Sequence, residues 1–250
     1  MTSVSQAPSV SVVMATYNGT RYLPQQIRSV LDQLVEADEL VIVDDCSRDD
    51  TVALIESIGS SRIRLYRNDR NQGVFHSFER ALSLSQGEVV FLCDQDDVWL
   101  PGKRQAFVDA FVRDPAALIV LSDAQVIDAQ SNVTITSFMA TRGGFQGSLW
   151  STLARNRYLG CTMALRRSLL HRVVPIPRNV PMHDMWIGAL GTIFGHVVYL
   201  EKPYLQYRRH GGNVSPSTPQ SLWRMLRWRV TLAYLLLVRW SSVKIAGASR

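Results

Sequence analysis

The sequence is short of several things, and each shortage excludes something. Three cysteines in 250 residues (Cys46, Cys93, Cys161) are too few for a disulfide framework, and none stands in CxxC spacing. The opening MTSVSQAPSV has no basic stretch running into an apolar one, so no secretory signal is expected. The nine-residue apolar run Val230–Val238 is too short to cross a bilayer. Neither GxGxxG nor GxxxxGK[ST] follows an apolar run, which disfavours a dinucleotide oxidoreductase or a P-loop kinase. Repeats and low-complexity tracts are also missing.

Acid is missing from one place. Residues 221–250 carry six basic side chains (Arg224, Arg227, Arg229, Arg239, Lys244, Arg250) and no Asp or Glu, whereas residues 1–220 carry 21 of each sign. The net charge of +6 therefore belongs to the tail, and the bulk of the chain does not read as a basic nucleic-acid binder. What remains, at 46% hydrophobic and 19% charged, suits one compact domain with an appendage.

Strand and helix patterns alternate over the first 125 residues. Val10–Met14, Leu40–Val43, Ile63–Tyr66, Val89–Cys93 and Leu118–Leu121 read as strands. Between them, Leu23, Ile27, Val30, Leu31 and Leu34 repeat at helical spacing. Ser47 to Asp50 cap a second helix, and Phe75–Leu84 and Gly102–Val112 read as two more. Such units predict a mainly parallel central sheet with helices on both faces, with ligands at the carboxyl ends of its strands. Residues 126–196 are less regular, and strands with short helices are expected there.

Polar chemistry falls at those strand ends. Asp94-Gln95-Asp96-Asp97 places three carboxylates after an apolar strand. A divalent cation such as Mg²⁺ or Mn²⁺ would relieve their repulsion, but a surface turn with Asp97 capping the next helix explains an isolated DxDD equally. Asp44 and Asp45 end the second strand, and Asp45 is placed to accept hydrogen bonds from a base edge. Ala15-Thr16-Tyr17-Asn18 ends the first, offering backbone groups, a hydroxyl and an aromatic face.

Taken together, Ser11–Asn18, Val41–Ser47, Asn71-Gln72-Gly73 and Cys93–Trp99 resemble family 2 glycosyltransferases in order and spacing. The resemblance covers roughly residues 9–215. It implies the A-type glycosyltransferase (GT-A, Rossmann-like) nucleotide-diphospho-sugar transferase fold, an α/β architecture. A nucleotide-binding half at about 9–125 would join an acceptor-binding half at about 126–220, followed by a basic amphipathic helical tail at 221–250. The DQDDVW form and Gly160-Cys161-Thr162-Met163 are similar to bacterial rhamnosyltransferases of surface-polysaccharide assembly.

Roles follow from the resemblance residue by residue. Ala15, Thr16, Tyr17 and Asp45 would surround the donor's base, Asn71 would shape a loop near the donor, and Asp94 would meet the ribose or nucleotide. Asp96 would coordinate a divalent cation, Mn²⁺ or Mg²⁺, on the diphosphate, with Asp97 behind it. Glu79 stands where many members carry Asn, and Ser77 where they often carry Ala. Asp184 of His183-Asp184-Met185-Trp186 would be the general base; without the upstream motifs it would read as the cap of the helix that follows. In Tyr207–Ser215, His210 would be a third metal ligand or diphosphate contact, Arg208 or Arg209 would meet phosphates, and Gly211 and Gly212 would let the loop move.

The resulting expectation is an inverting, metal-dependent glycosyltransferase of bacterial polysaccharide synthesis. Its donor would be a nucleotide sugar, dTDP-rhamnose first, and its acceptor a glycan or a lipid-linked sugar, with no nucleic-acid partner. The alternative is a non-catalytic, membrane-associated sugar-nucleotide-binding protein. Basic residues among Trp and Leu in 221–250 suit a peripheral contact with the inner face of the cell membrane, from the cytoplasmic side. A helix packed on the domain with solvated arginines is the competing account of the tail.

Overall fold

Runs of Val, Ile and Leu that are apolar on both faces need cover on both sides, and the chain supplies it. The computed structural model describes residues 7–180, 182–211 and 221–248. Its first half alternates β1 (Val10–Thr16), α1 (Leu23–Leu31), β2 (Glu39–Asp44), α2 (Thr51–Ser57), β3 (Ile63–Arg67), α3 (Val74–Leu84) and β4 (Val89–Cys93). There follow β5 (Val98–Trp99), α4 (Lys103–Arg113), β6 (Ala117–Ile127), β7 (Val133–Ile135), α5 (Leu149–Ala154) and β8 (Met163–Arg166). The chain continues through α6 (Leu170–Val173), α7 (His183–Phe194), β9 (His196–Arg208) and α8 (Leu222–Ala248).

The strands form one sheet in the order β3-β2-β1-β4-β8-β6-β9-β5, with β7 beside β6. The parallel part is β3-β2-β1-β4, in which all three pairings are parallel. Beyond β4 the sheet is mixed. β8 runs antiparallel to β4 and β6, while β9 lies parallel to β6 and antiparallel to β5.

Alternation sorts the core into two layers. Val10, Val12, Met14, Leu40, Ile42 and Phe91 face one cluster, closed by Leu23 and Ile27 of α1 and Phe107 and Phe111 of α4. Val13, Val41, Val43, Val90 and Leu92 face the other, closed by Phe78 and Leu82 of α3 and Trp186 and Leu190 of α7. Each such side chain contributes about 1.5–3 kcal/mol by leaving water, so a strand with both faces buried is strongly fixed in register.

Two local expectations need correction. Ser47 does not cap α2; its hydroxyl turns inward to Asp44 Oδ2 at 2.5 Å, and Asp49 Oδ1 accepts the Thr51 N–H at 3.1 Å instead. In α8, Arg239 is not on a solvated stripe. Its guanidinium lies 5.1 Å over the Trp186 ring and donates to the carbonyls of Arg172 (2.5 Å), in α6, and Pro175 (2.7 Å), just past it. Carbonyls left open at a helix end are natural acceptors for a cation. Leu232 and Leu236 are buried on the same side, and Arg229 Nε donates to Leu153 O of α5 at 2.9 Å. Among the described residues, no helix is long and apolar enough to cross a membrane.

Candidate functional site

Chain order reverses between β1 and β4, which opens a crevice outside their carboxyl ends. The loop after β1 is tied to the loop after β2. Asn18 N–H donates to Ser47 Oγ (2.9 Å), Arg48 N–H to Asn18 Oδ1 (2.9 Å) and Gly19 N–H to Thr51 Oγ1 (2.8 Å). Asn18 (φ 48°) and Cys46 (φ 64°) sit in the left-handed region, rare outside glycine, and both turn the chain at this crevice.

The residues expected around a nucleotide base divide here. Tyr17 is 40% exposed and Ala15 half-buried. Thr16 is buried, and its hydroxyl donates to Asp44 Oδ2 at 3.2 Å. The hydroxyl expected to face a ligand is therefore turned into the protein. Asp45 is buried too, and its carboxylate accepts from Asn68 Nδ2 (2.7 Å), Gln72 N (2.9 Å) and Gly73 N (2.7 Å). Burial pushes its carboxyl upward, but the hydrogen bonds from Gln72, Asn68, Gly73 and Ser77 outweigh that and hold it below its ordinary value. Asp45 thus anchors the loop that presents Asn71, which is exposed. Ser77 joins this network by accepting from Asn68 Nδ2, and Glu79 Oε2 accepts the Ile176 N–H at 2.6 Å.

Gln95, in the middle of the acidic turn, holds both backbone groups of one residue. Its Oε1 accepts the Tyr17 N–H at 2.9 Å and its Nε2 donates to Tyr17 O at 3.2 Å. Beside it, Asp96 Oδ2 lies 2.7 Å from His210 Nε2, and the His210 ring packs 5.0 Å from Tyr22. A cavity of about 190 Å³ opens here, with Asn18, Tyr22, Asp96 and His210 on its walls. Gly212 to Ser215, the rest of the expected mobile loop, lie outside the described residues.

Arg208 is a correction. It is 1% exposed, and its guanidinium is engaged by Asp96 O (2.7 Å), Asp128 O (3.1 Å), Ser131 Oγ (2.8 Å) and Gln25 Oε1 (2.9 Å) while lying 4.6 Å over Tyr22. A phosphate cannot reach it. Its neighbour Arg209 is half-buried, and among the described residues its guanidinium bonds only Tyr207 OH, at 3.3 Å.

Electrostatics set the carboxylates apart. Burial, and then the charges of Asp96 and Asp184, push Asp94 up to about 7. Asp97 is fully buried under the turn, accepts the Arg208 N–H at 2.9 Å and is pushed well up by burial. Asp184, at the start of α7 and 4% exposed, is pushed up to about 6 by burial, against hydrogen bonds from Met185 N (2.6 Å) and Asn156 Nδ2 (3.3 Å). His183 beside it stacks on Phe78 at 5.0 Å, and burial lowers its pKa to about 4, so it is a neutral ring. Asn156 and Gln95 were not read from the sequence; each is a lone amide in an unpatterned loop or turn.

Two groups could hold a cation. Asp94, Asp97 and Cys161 offer atoms within 4.8 Å of one another, but burial keeps the Cys161 thiol protonated and Asp97 sits beneath the surface. A buried thiol is a poor ligand for Mg²⁺ or Mn²⁺. Asp96 with His210 fits better, as a hard carboxylate and an imidazole converging on an open cavity.

The family described as glycosyl transferase family 2 matches residues 11–174. An uncharacterized glycosyltransferase, alr2836, of Nostoc sp. is 30% identical over 82% of this chain and 66% of its own length. The Escherichia coli UDP-Glc:alpha-D-GlcNAc-diphosphoundecaprenol beta-1,3-glucosyltransferase WfgD is 28% identical over 65% of this chain and 62% of its length. Among solved structures, S. aureus TarS 1-349 in complex with UDP-GlcNAc superposes with a TM-score of 0.68 at 19% identity, over 90% of this chain and 66% of that one. The chain thus spans somewhat under two thirds of the length of these relatives, and the TarS likeness establishes the GT-A fold.

Proposed function

The chain belongs to glycosyl transferase family 2, and on that premise we propose that it is an inverting, metal-dependent glycosyltransferase of bacterial polysaccharide synthesis. It moves a sugar from a nucleoside diphosphate donor to a glycan or lipid-linked acceptor. The observation that carries this reading is that Asp96, paired with His210 at 2.7 Å, and the buried carboxylate of Asp184 both press their charge on Asp94. A cation-ready edge and a proton acceptor near neutral pH on one crevice are what the transfer needs.

The nucleotide-binding half, about 9–125, receives the donor. Tyr17 and Ala15 flank the base, Thr16 and Asp45 hold the walls that position it, Asn71 shapes the donor loop, and Asp94 meets the ribose. Asp96 and His210 would hold Mn²⁺ or Mg²⁺, which would offset charge on the leaving diphosphate. In the acceptor half, about 126–220, the Asp184 carboxylate takes the hydroxyl proton as that oxygen bonds the anomeric carbon from the face opposite the departing nucleoside diphosphate. One displacement makes one C–O bond and breaks another, so the configuration inverts. dTDP-rhamnose is the first donor to test, with UDP-glucose beside it because WfgD is named for that donor.

The tail at 221–250 docks the enzyme on the inner face of the membrane from the cytoplasmic side. Trp223 (81% exposed), Leu226, Val230, Tyr234 (65%) and Leu237 follow helical spacing on the side of α8 away from the domain. With Arg224 and Arg227 exposed and no acid in the segment, that face suits an anionic lipid surface. Nucleotide-sugar turnover measured with and without Mn²⁺ tests the enzyme; inactivity toward every donor would favour a non-catalytic binder. Sedimentation with anionic vesicles that Trp223→Ser plus Tyr234→Ser leaves unchanged would refute the docking.

A further inference from the structure

Residues 129–183 hold seven arginines and no Asp or Glu. Part of that excess is absorbed by the fold. Arg166 donates to Ala117 O and Phe111 O, Arg167 to Gly87 O and Ser85 Oγ, and Arg172 lies 4.6 Å over Phe194. Arg142 and Arg155 are placed differently. Arg142 is half-buried with its guanidinium 5.0 Å over Phe138, and Arg155 Nη1 donates to Arg142 O at 3.5 Å. Phe138 meets Tyr207 edge-on at 5.9 Å, and Arg209 lies 5.9 Å over that second ring. Two aromatic rings in contact therefore carry an arginine each, and a third arginine joins them.

None of these three arginines has an ion pair among the described residues. Burial and then the charge of Arg155 press the Arg142 pKa downward, with Arg209 acting the same way and Tyr207 and Asp184 opposing. Asn156, the residue after Arg155, donates to Asp184 Oδ1 at 3.3 Å, which ties the loop that carries the cluster to the carboxylate assigned as base. Arg157, in the same loop, buries Nε and Nη1 with no hydrogen-bond partner among the described residues. Like charges gathered without a counter-charge are costly, and guanidinium forks match phosphoryl and carboxylate oxygens in pairs.

We infer that the acceptor carries an anionic group, phosphoryl or carboxylate, which Arg142, Arg155 and Arg209 hold beside Asp184. The inference rests on the proposed transfer reaction, in which the acceptor is the substrate that Asp184 deprotonates. A donor diphosphate is the competing guest, but the Asp96–His210 edge already serves it. Arg142 and Arg155 come from the segment around α5, which also carries the α8 contact through Leu153.

The test uses the full chain and inorganic phosphate as the probe, titrated by ³¹P NMR with metal chelated and saturating UDP or dTDP present. Wild type should bind phosphate in the millimolar range, and Arg142→Gln/Arg155→Gln should weaken it about tenfold. Arg155→Gln alone, at an exposed side chain, should weaken it in the same direction with an unchanged melting temperature. Glucose 1-phosphate and glucuronate, each against glucose, then separate a phosphoryl from a carboxylate acceptor. Equal phosphate binding by wild type and variants, or phosphate binding seen only when the nucleoside diphosphate is left out, overturns the inference. Donor hydrolysis by the same preparation reports separately on the transferase reading.

Discussion

Replacing Asp184 by Asn should make the protein more stable and nearly inactive at once. Burial raises this carboxyl from 3.8 to about 6, so ionising it in the folded protein is harder than in the unfolded chain. Below about pH 3.8 both states hold the proton and there is no penalty. Between pH 3.8 and 6 the unfolded chain ionises first and stability falls; above 6 the full penalty of about 3 kcal/mol applies. Asn removes the charge while its Oδ1 still accepts from Met185 N and Asn156 Nδ2. The variant should thus gain about 1–3 kcal/mol at pH 8, roughly 2–10 °C in melting temperature, and much less at pH 4.5. Transfer should fall about 10²–10⁴-fold, as loss of a general base does, with nucleoside diphosphate affinity within about twofold of wild type. The wild-type rate should also fall as pH drops below about 6, because protonation removes the base. Thermal melts at the two pH values, beside a transfer assay, decide the matter. Equal melting at pH 8, or transfer retained within about tenfold, would refute the reasoning.

His210→Ala should leave nucleoside diphosphate affinity in EDTA unchanged and lower it about tenfold in Mn²⁺; calorimetry with and without the metal checks this, and equal loss in both would remove His210 from the metal site. Arg208→Met should cost about 3 kcal/mol or more, because four oxygen partners lose their buried donor, while the folded fraction keeps its nucleotide affinity. A stable Arg208→Met protein that has lost nucleotide binding would restore Arg208 as a phosphate ligand.

The parts of this protein legible in advance are those in which one residue pattern has one physical solution. Val89–Cys93 appears as a strand with the bounds read from its apolar run, because both of its faces are buried and no polar position blurs its ends. The acidic turn is equally plain, since three carboxylates fall within four residues. β9 was not read, because His196–Arg208 mixes charged, aromatic and apolar residues and shifts register against β6. That strand also decides the fate of Arg208 and Arg209. Arg208 is its last residue and is locked inside, while Arg209 lies just beyond its end and stays half-buried, and the bulges upstream hide which is which. Thr16 is more readable than a ligand-facing role implies. It shares parity with Val12 and Met14, which point into the core, so alternation already turns its hydroxyl inward. The arginine cluster was unreadable for a different reason: positions 142, 155 and 209 meet only once the sheet is closed.

The grip of Gln95 on Tyr17 gives the middle letter of the acidic turn a job. Donor and acceptor are both used, so a glutamate there would oppose the Tyr17 carbonyl and a methionine would leave both backbone groups unmet. The position is not a spacer between two carboxylates. It also makes the turn and the end of β1 one mechanical piece, on which Asp96 and the exposed ring of Tyr17 ride together. A pull on that carboxylate is felt at the ring. Two ends of a single ligand, its charged middle and its flat base, would thus be gripped by one moving part.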